Sequence, residues 1–308
     1  MISLRYRDKG TAIHKLNPFS KLVWVATIFV LSLIFNHPLY LLLLFVSTLP
    51  MVIAAKVWRE WASIMKLAVY LCLAIIIINA LVSYHGSHVL WQASFRIPPL
   101  GAPIITLEAV FFGVGMSLRL LAVISAFAIL TSTVHPDDIM LAMIKLKLPY
   151  KSVLVTSLST RFIPTLIDDV ECISDVQRSR GLELDRGSLA QKIRSRMAIM
   201  IPLLSNSLDR TVQVAEAMES RAFGSGEKRS FYKQIKLSRL DVAVLILGFS
   251  PLAQGILIRC WGYGDYQYYP TLEKISLAGS ECFLLALLIA LLCLIVLLAL
   301  LKKRIELD

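Results

Sequence analysis

The chain has 308 residues, of which 57% are hydrophobic and only 17% charged, against about half and about a quarter in soluble domains. The excess falls in blocks of bilayer length, which excludes an ordinary water-soluble domain and places the chain in lipid. A formal charge of +11 suits nucleic acid, but no aromatic-studded basic strand or zinc-finger spacing accompanies it. Lysine and arginine held in cytoplasmic loops account for the charge instead, and no nucleic-acid partner is expected.

In chain order, residues 22–35 and 39–55 are apolar runs divided only by Asn36-His37-Pro38, a turn signal, so they read as a helical hairpin. The third span is expected at 67–84, the fourth at 104–131, the fifth at 241–261 and the sixth at 276–301. The fold class is therefore all-α: a polytopic membrane protein of about six transmembrane helices with a cytoplasmic helical module. The N-terminus does not read as a cleavable signal, because the stretch before the first apolar run is charged and no small-residue cleavage site follows. Five scattered cysteines contain no C-x-x-C. Cys260 and Cys282 are expected near one surface, without a pairing being readable.

Orientation follows from the basic residues. Arg5, Arg7, Lys9, Lys15 and Lys21 precede the first span, Lys56, Arg59 and Lys66 lie between the second and third, and Lys302-Lys303-Arg304 follow the sixth. Residues 135–240 hold more than half of the 32 lysines and arginines, whereas the alternate loops carry almost none. Both termini are expected in the cytoplasm of a cell-membrane protein. The chain divides into 1–134 (the N-terminal segment and four spans), 135–238 (the cytoplasmic module) and 239–308 (two spans and a basic tail).

Three helices are expected in the module. The first opens at His135-Pro136-Asp137-Asp138, with proline in the first turn and carboxylates at the positive helix end. The second, about 152–181, carries Leu154, Leu158, Phe162, Leu166, Val170 and Ile173 at helical spacing, with Asp168 and Asp169 mostly off that stripe. The third, about 191–223, carries Leu204, Leu208, Val212, Ala215, Met218 and Ala222 in one stripe, with Asp209 and Arg210 facing elsewhere. The second and third are each longer than a loop needs to connect two spans. Residues 224–236 read as a polar linker.

The two long helices end alike, on Ser179-Arg180-Gly181 and Ser220-Arg221-Ala222, with the arginines 41 residues apart. Ordinary termination is the plain account of either end: arginine favours the negative end of the helix dipole and glycine supplies a left-handed residue. The recurrence points further, to an arginine at the tip of a rigid stalk, suited to an acidic groove.

With these ends in view, the chain resembles the transmembrane T component of energy-coupling factor (ECF) transporters. The resemblance rests on His14-Lys15-Leu16-Asn17-Pro18-Phe19-Ser20-Lys21 before the first span, Thr131 through Asp138 closing the fourth, Arg161-Phe162-Ile163-Pro164, Pro202-Leu203-Leu204 and the two triplets. Serine replaces the commoner alanine in the first triplet and alanine the commoner glycine in the second; both stay small. The resemblance implies that two ABC-type ATPase subunits grip Ser179, Arg180, Gly181, Ser220, Arg221 and Ala222. It also implies that the long helices cradle a separate membrane protein, the S component, which binds a vitamin or a transition-metal ion. Arg161, Pro164 and Pro202 are then expected at helix bends or S-component contacts, a simple break being the plain account of the prolines. Met140, Met143, Met197, Met200 and Met218 offer adaptable apolar surface there, with core filling as the plain account.

No cofactor and no catalytic activity are expected on this chain. Gly224-Ser225-Gly226-Glu227-Lys228-Arg229-Ser230 lacks the Gly-Lys-Ser/Thr order of a phosphate loop, and His85-x-x-His88 is read with no acid nearby to complete a metal site. Glu108 and Arg119 lie three turns apart in the fourth span and are expected to have structural partners inside the bundle. Three alternatives stand beside this reading: a conventional ABC permease forming the solute path itself, an intramembrane enzyme, and a membrane-anchored interaction protein without a transport role. No span offers a convergent polar pocket that would favour the first.

Overall fold

The computed structural model describes residues 9–11, 13–14, 16–83, 86–92, 104–135, 138–140, 142, 149–182, 188–226, 239–273 and 279–305. The described elements are helices α1 (Pro18–Ile34), α2 (Pro38–Ala55) and α3 (Trp58–Val82), strands β1 (Val89–Gln92) and β2 (Ile104–Thr106), then helices α4 (Leu107–Thr133), α5 (Tyr150–Ser179), α6 (Leu189–Ser220), α7 (Arg239–Cys260) and α8 (Gly279–Ile305). They form two compact units: residues 1–139 with 236–308, and residues 140–235.

The first unit is a helical bundle. Five of its helical segments, Pro38–Ala55, Trp58–Val82, Leu107–Thr133, Asp241–Cys260 and Gly279–Leu298, are long and apolar enough to cross a bilayer, and Pro18–Ile34 is a shorter apolar helix. The all-α polytopic class expected from the sequence is therefore observed. α4 packs against α1, α2 and α3, while α7 packs on α1 and α8, and α8 on α2. Small residues let α4 take that central place: a Cβ added at Gly113 would lie 3.0 Å from the Ile76 backbone, so α3 approaches as closely as glycine allows. Trp24, Ile28, Leu31, Phe35, Tyr40, Leu44 and Met51 of the hairpin are fully buried against Ile129 and Leu288.

The hairpin turns where expected. Phe35 takes extended backbone after α1, and His37 caps α2 by accepting from Leu39 N–H, with Pro38 at the first helical position. Asn17 caps α1 through Phe19 N–H at 3.1 Å. Among the expected starts that move, two have a visible cause. The third helix begins at Trp58 instead of residue 67, because charge in its first turns is satisfied: Lys9 Nζ donates to Glu60 Oε1 at 2.8 Å and to Lys56 O at 2.9 Å. Trp61 Nε1 in turn donates to Ser125 Oγ of α4 at 2.8 Å. The fourth helix begins at Leu107 instead of 104, because the β-branched run Ile104–Thr106 pairs antiparallel with β1.

One buried and one half-buried cation hold helix ends. Lys21 Nζ donates to Thr133 O at the end of α4 (2.8 Å) and to His14 O (3.1 Å). Arg119 Nη2 donates to Phe35 O at the end of α1 (3.0 Å) and to Asn36 Oδ1 (2.9 Å). Asn36 Nδ2 reaches Asp265 Oδ1, whose second oxygen lies 3.0 Å from Arg259 Nη2; these partners hold the Asp265 carboxyl below its usual range. Cys260 and Cys282 are both free thiols.

In the second unit α5 and α6 have 30 and 32 residues, about 45 and 48 Å of helix, and both run unbroken through Pro164 and Pro202. The broken-helix account of the prolines is therefore not what is seen. Of the first expected module helix, residues 138–140 are helical, and Met143 lies outside the described residues.

Replacing Lys21 with methionine removes the donor shared by the Thr133 and His14 carbonyls. It is expected to lower the unfolding free energy by about 2 kcal/mol, read as a fall in the thermal midpoint of the detergent-solubilised protein, with Lys21→Arg less affected.

Candidate functional site: two arginine-tipped helix ends

The ends of α5 and α6 share one backbone geometry. At α5, Gly181 N–H donates to Arg178 O (2.9 Å) and Leu182 N–H to Gln177 O (3.0 Å), with Gly181 at φ +83°. At α6, Ala222 N–H donates to Glu219 O (2.8 Å) and Phe223 N–H to Met218 O (3.0 Å), with Ala222 at φ +54°. This pair of bonds closes a helix through a left-handed residue and satisfies its last carbonyls from the main chain. The serines fold back as well: Ser179 Oγ donates to Asp175 O and Ser220 Oγ to Ala217 O.

The closure leaves the arginines unspent. Arg180 and Arg221 stand one residue past the last helical residue of each end, exposed, and among the described residues neither guanidinium takes a hydrogen-bond or ion-pair partner. Arg178, two residues earlier, is already paired with Asp175 at 3.5 Å. Main-chain capping at both tips removes the simplest structural use for Arg180 and Arg221. Ala222 sharpens the point, since a left-handed alanine costs about 1 kcal/mol relative to glycine. Beside the second tip, Ala215, Met218, Glu219, Ala222 and Phe223 line an open hollow of about 560 Å³.

The remaining candidates divide. Arg161 and Pro164 of α5 are exposed, Pro202 and Met218 of α6 are half-buried, and Met197 and Met200 are 50% and 54% exposed. Met140 is half-buried in the short helical stretch 138–140. The apolar residues of α6 lie on two faces where one stripe was expected. Leu204, Leu208 and Val212 are more than half exposed, in line with Ile193, Met197 and Ile201. The less exposed face instead runs through Ile199, Leu203, Ser207, Arg210 and Val214. Arg210 and Asp169, expected to lie away from the apolar stripes, meet across the helices with Nη2 3.0 Å from Oδ2. The missed signal was the spacing: Asp169 and Arg210 are 41 residues apart, as the tip arginines are.

Arg119 finds its partners in the hairpin of the bundle, as expected, whereas Glu108 finds them in the segment leading into β1. Fully buried Glu108 accepts from Ser87 Oγ (2.9 Å) and His88 N–H (3.1 Å) and lies 2.8 Å from His88 Nδ1. The reading that no acid stands near His88 is thus corrected: the fold brings Glu108 from twenty residues away. His85 lies outside the described residues, among which no cluster of three His, Cys, Asp or Glu side chains is placed to hold a metal. A cavity of about 290 Å³ beside Arg119, lined by Asn36, Phe112, Tyr266, Tyr268 and Tyr269, corrects the expectation that no polar groups converge. Its polar groups are largely spent on the fold, Tyr268 Oη donating to Asn36 O and Ser83 Oγ meeting Tyr269 Oη.

Bilayer-length helices joined in one chain to two long helices that end on exposed arginines define the class as a polytopic integral-membrane protein. Residues 9–232 match the family described as CbiQ, cobalt transport protein. The chain is 31% identical over 270 residues to the energy-coupling factor transporter transmembrane protein EcfT of Lactococcus lactis subsp. cremoris, covering 85% of this chain and 97% of that one. It is 30% identical to EcfT of Streptococcus thermophilus, over 79% of this chain and 94% of that one. With EcfT of Staphylococcus aureus the identity is 29%, over 79% and 91%. The chain belongs to this family, the transmembrane T components of energy-coupling factor transporters.

The left-handed closures are directly testable. Gly181→Ala is expected to cost, and Ala222→Gly to gain, about 1 kcal/mol of local stability. Amide hydrogen exchange in the last turn should accelerate about fivefold in the first variant and slow by a similar factor in the second.

Proposed function

We propose that the chain is the coupling subunit of an ECF importer, transmitting ATP hydrolysis by two ABC-type ATPase subunits to a membrane S component that carries a vitamin or a transition-metal ion. The observation that carries this reading is the pair of exposed arginines, presented by the same backbone closure on two long helices. An exposed guanidinium on a rigid stalk is suited to an acidic pocket, where a charge-assisted, forked hydrogen bond gives both strength and geometry. Two tips fit two copies of a related partner. The uncovered stripe of α6, Ile193, Met197, Ile201, Leu204, Leu208 and Val212, supports an apolar partner lying along the stalk, the place proposed for the S component. The chain itself takes no catalytic role and selects no solute in this scheme. Both termini and the tips face the cytoplasm, following the asymmetry of basic residues.

Each docked arginine is expected to contribute about 2 kcal/mol, the scale of an interface hot spot. Arg180→Ala and Arg221→Ala should each weaken retention of the ATPases on the tagged chain, and the double change should abolish it together with ATP-driven uptake, while protein level in the membrane stays constant. Wild-type retention and uptake in the double variant would remove the docking reading.

Orientation has its own check. A single cysteine at exposed Gln267, in a chain otherwise free of cysteine, should react with an impermeant maleimide on intact cells, and one at Ser225 only after lysis. Labelling of Ser225 from outside would reverse the arrangement.

A further inference from the structure

The contacts between α5 and α6 fix how the two tips are held. Gln177 Nε2 donates to Ala198 O at 3.4 Å, and Arg210 Nη2 lies 3.0 Å from Asp169 Oδ2. Moving toward the C-terminus of α5, from 169 to 177, therefore moves toward the N-terminus of α6, from 210 to 198. The helices run antiparallel where they touch, so Arg180 and Arg221 lie on opposite sides of the Asp169–Arg210 contact.

Each tip is the same distance from that contact. Arg180 is eleven residues beyond Asp169, and Arg221 eleven beyond Arg210. Eleven residues make three helical turns and about 16 Å of rise, so the tips reach equally in opposite directions, up to about 33 Å apart. The two arms, residues 170–180 and 211–221, contain neither proline nor glycine. Pro164 and Pro202 both fall on the N-terminal side of the contact, outside the two arms. The ion pair is partly sheltered, its side chains 22% and 31% exposed, with Asp169 Oδ2 and Arg210 Nη1 shielded from solvent. Shelter of that degree weakens screening and makes the loss of either partner felt by the other.

We propose that Asp169 and Arg210 form the pin at which the stalks cross, and that this pin sets equal reach for the two docking arginines so that both ATPases act on the scaffold in step. The inference rests on the docking reading above. It assigns the pair a positioning role distinct from docking: the tips bind, and the pin keeps their spacing.

The test uses the full transporter in proteoliposomes, with nitroxide labels on cysteines placed at exposed Asp175 and Glu216, themselves 41 residues apart, in a chain otherwise free of cysteine. The native pair should give one narrow distance distribution. Asp169→Asn and Arg210→Gln should each broaden it and lower solute taken up per ATP hydrolysed about fivefold, with the ATPases still retained through intact Arg180 and Arg221. The exchanged pair, Asp169→Arg with Arg210→Asp, should restore a narrow distribution and most of the uptake, a rescue that lost packing alone does not provide. An unchanged distribution and full uptake in both single variants would overturn the pin, as would failure of the exchanged pair to rescue. Neither result touches the docking reading, which stands or falls on ATPase retention by the Arg180 and Arg221 variants.

Discussion

A helix leaves its last carbonyls without partners, and inside a bilayer no water is available to take them. This chain meets that constraint with cations. Arg119 of α4 donates to Phe35 O at the end of α1, and Lys21 of α1 donates to Thr133 O at the end of α4. The two helices thus terminate each other, which fixes their packing at both ends and makes α4 the member around which α2 and α3 assemble. Each positive side chain also sits at the negative end of a helix dipole, so its burial is offset locally. The segment before α1 is tied into the same device, because Lys21 also holds His14 O while Asn17 and Pro18 start the helix.

The ends of α5 and α6 face the same carbonyl problem and solve it differently. Their last carbonyls are closed by main-chain N–H groups through Gly181 and Ala222 in the left-handed region. In the bundle the cation is consumed by the cap, whereas at the tips the backbone is the cap and the cation is left over. The same residue type therefore has opposite meanings in the two units. Arg119 is a structural clamp, whereas Arg180 and Arg221 have no side-chain partner among the described residues.

Much of the bundle was legible because its signals are local. Apolar runs of bilayer length, Pro38 after Asn36-His37, and Asn17-Pro18 before the first run specify helices and a turn without reference to anything distant. The errors arose where a distant partner decides. Helix α3 starts nine residues early because Lys9 satisfies Glu60, and residues 104–106 become a strand because β1 lies beside them. The tips were readable as a repeated triplet, and Gly181 as a left-handed closing residue, but not that Ala222 closes the second helix in the same way. The Asp169–Arg210 contact was hidden for a further reason: under the 41-residue offset an acid falls on a base, so similarity between the helices conceals the complementarity that joins them.

Exposed apolar surface, finally, has a different meaning in the two units. On α3, Leu67, Val69, Tyr70, Leu73, Ile77 and Ile78 are exposed around a helix whose length and composition suit the bilayer, so lipid is a sufficient solvent for them. On α6 the exposed Met197, Met200, Leu204, Leu208 and Val212 share the helix with exposed Asn206, Asp209, Gln213 and Glu216. Full immersion in hydrocarbon would strand those polar groups, and full immersion in water would strand the stripe. Such a helix needs an apolar partner along one side and a polar medium along the other. The arginine at its end adds an exposed cation at the tip. A helix serving only to connect two spans would have no use for such a two-sided surface, and the coupling role proposed above would have one.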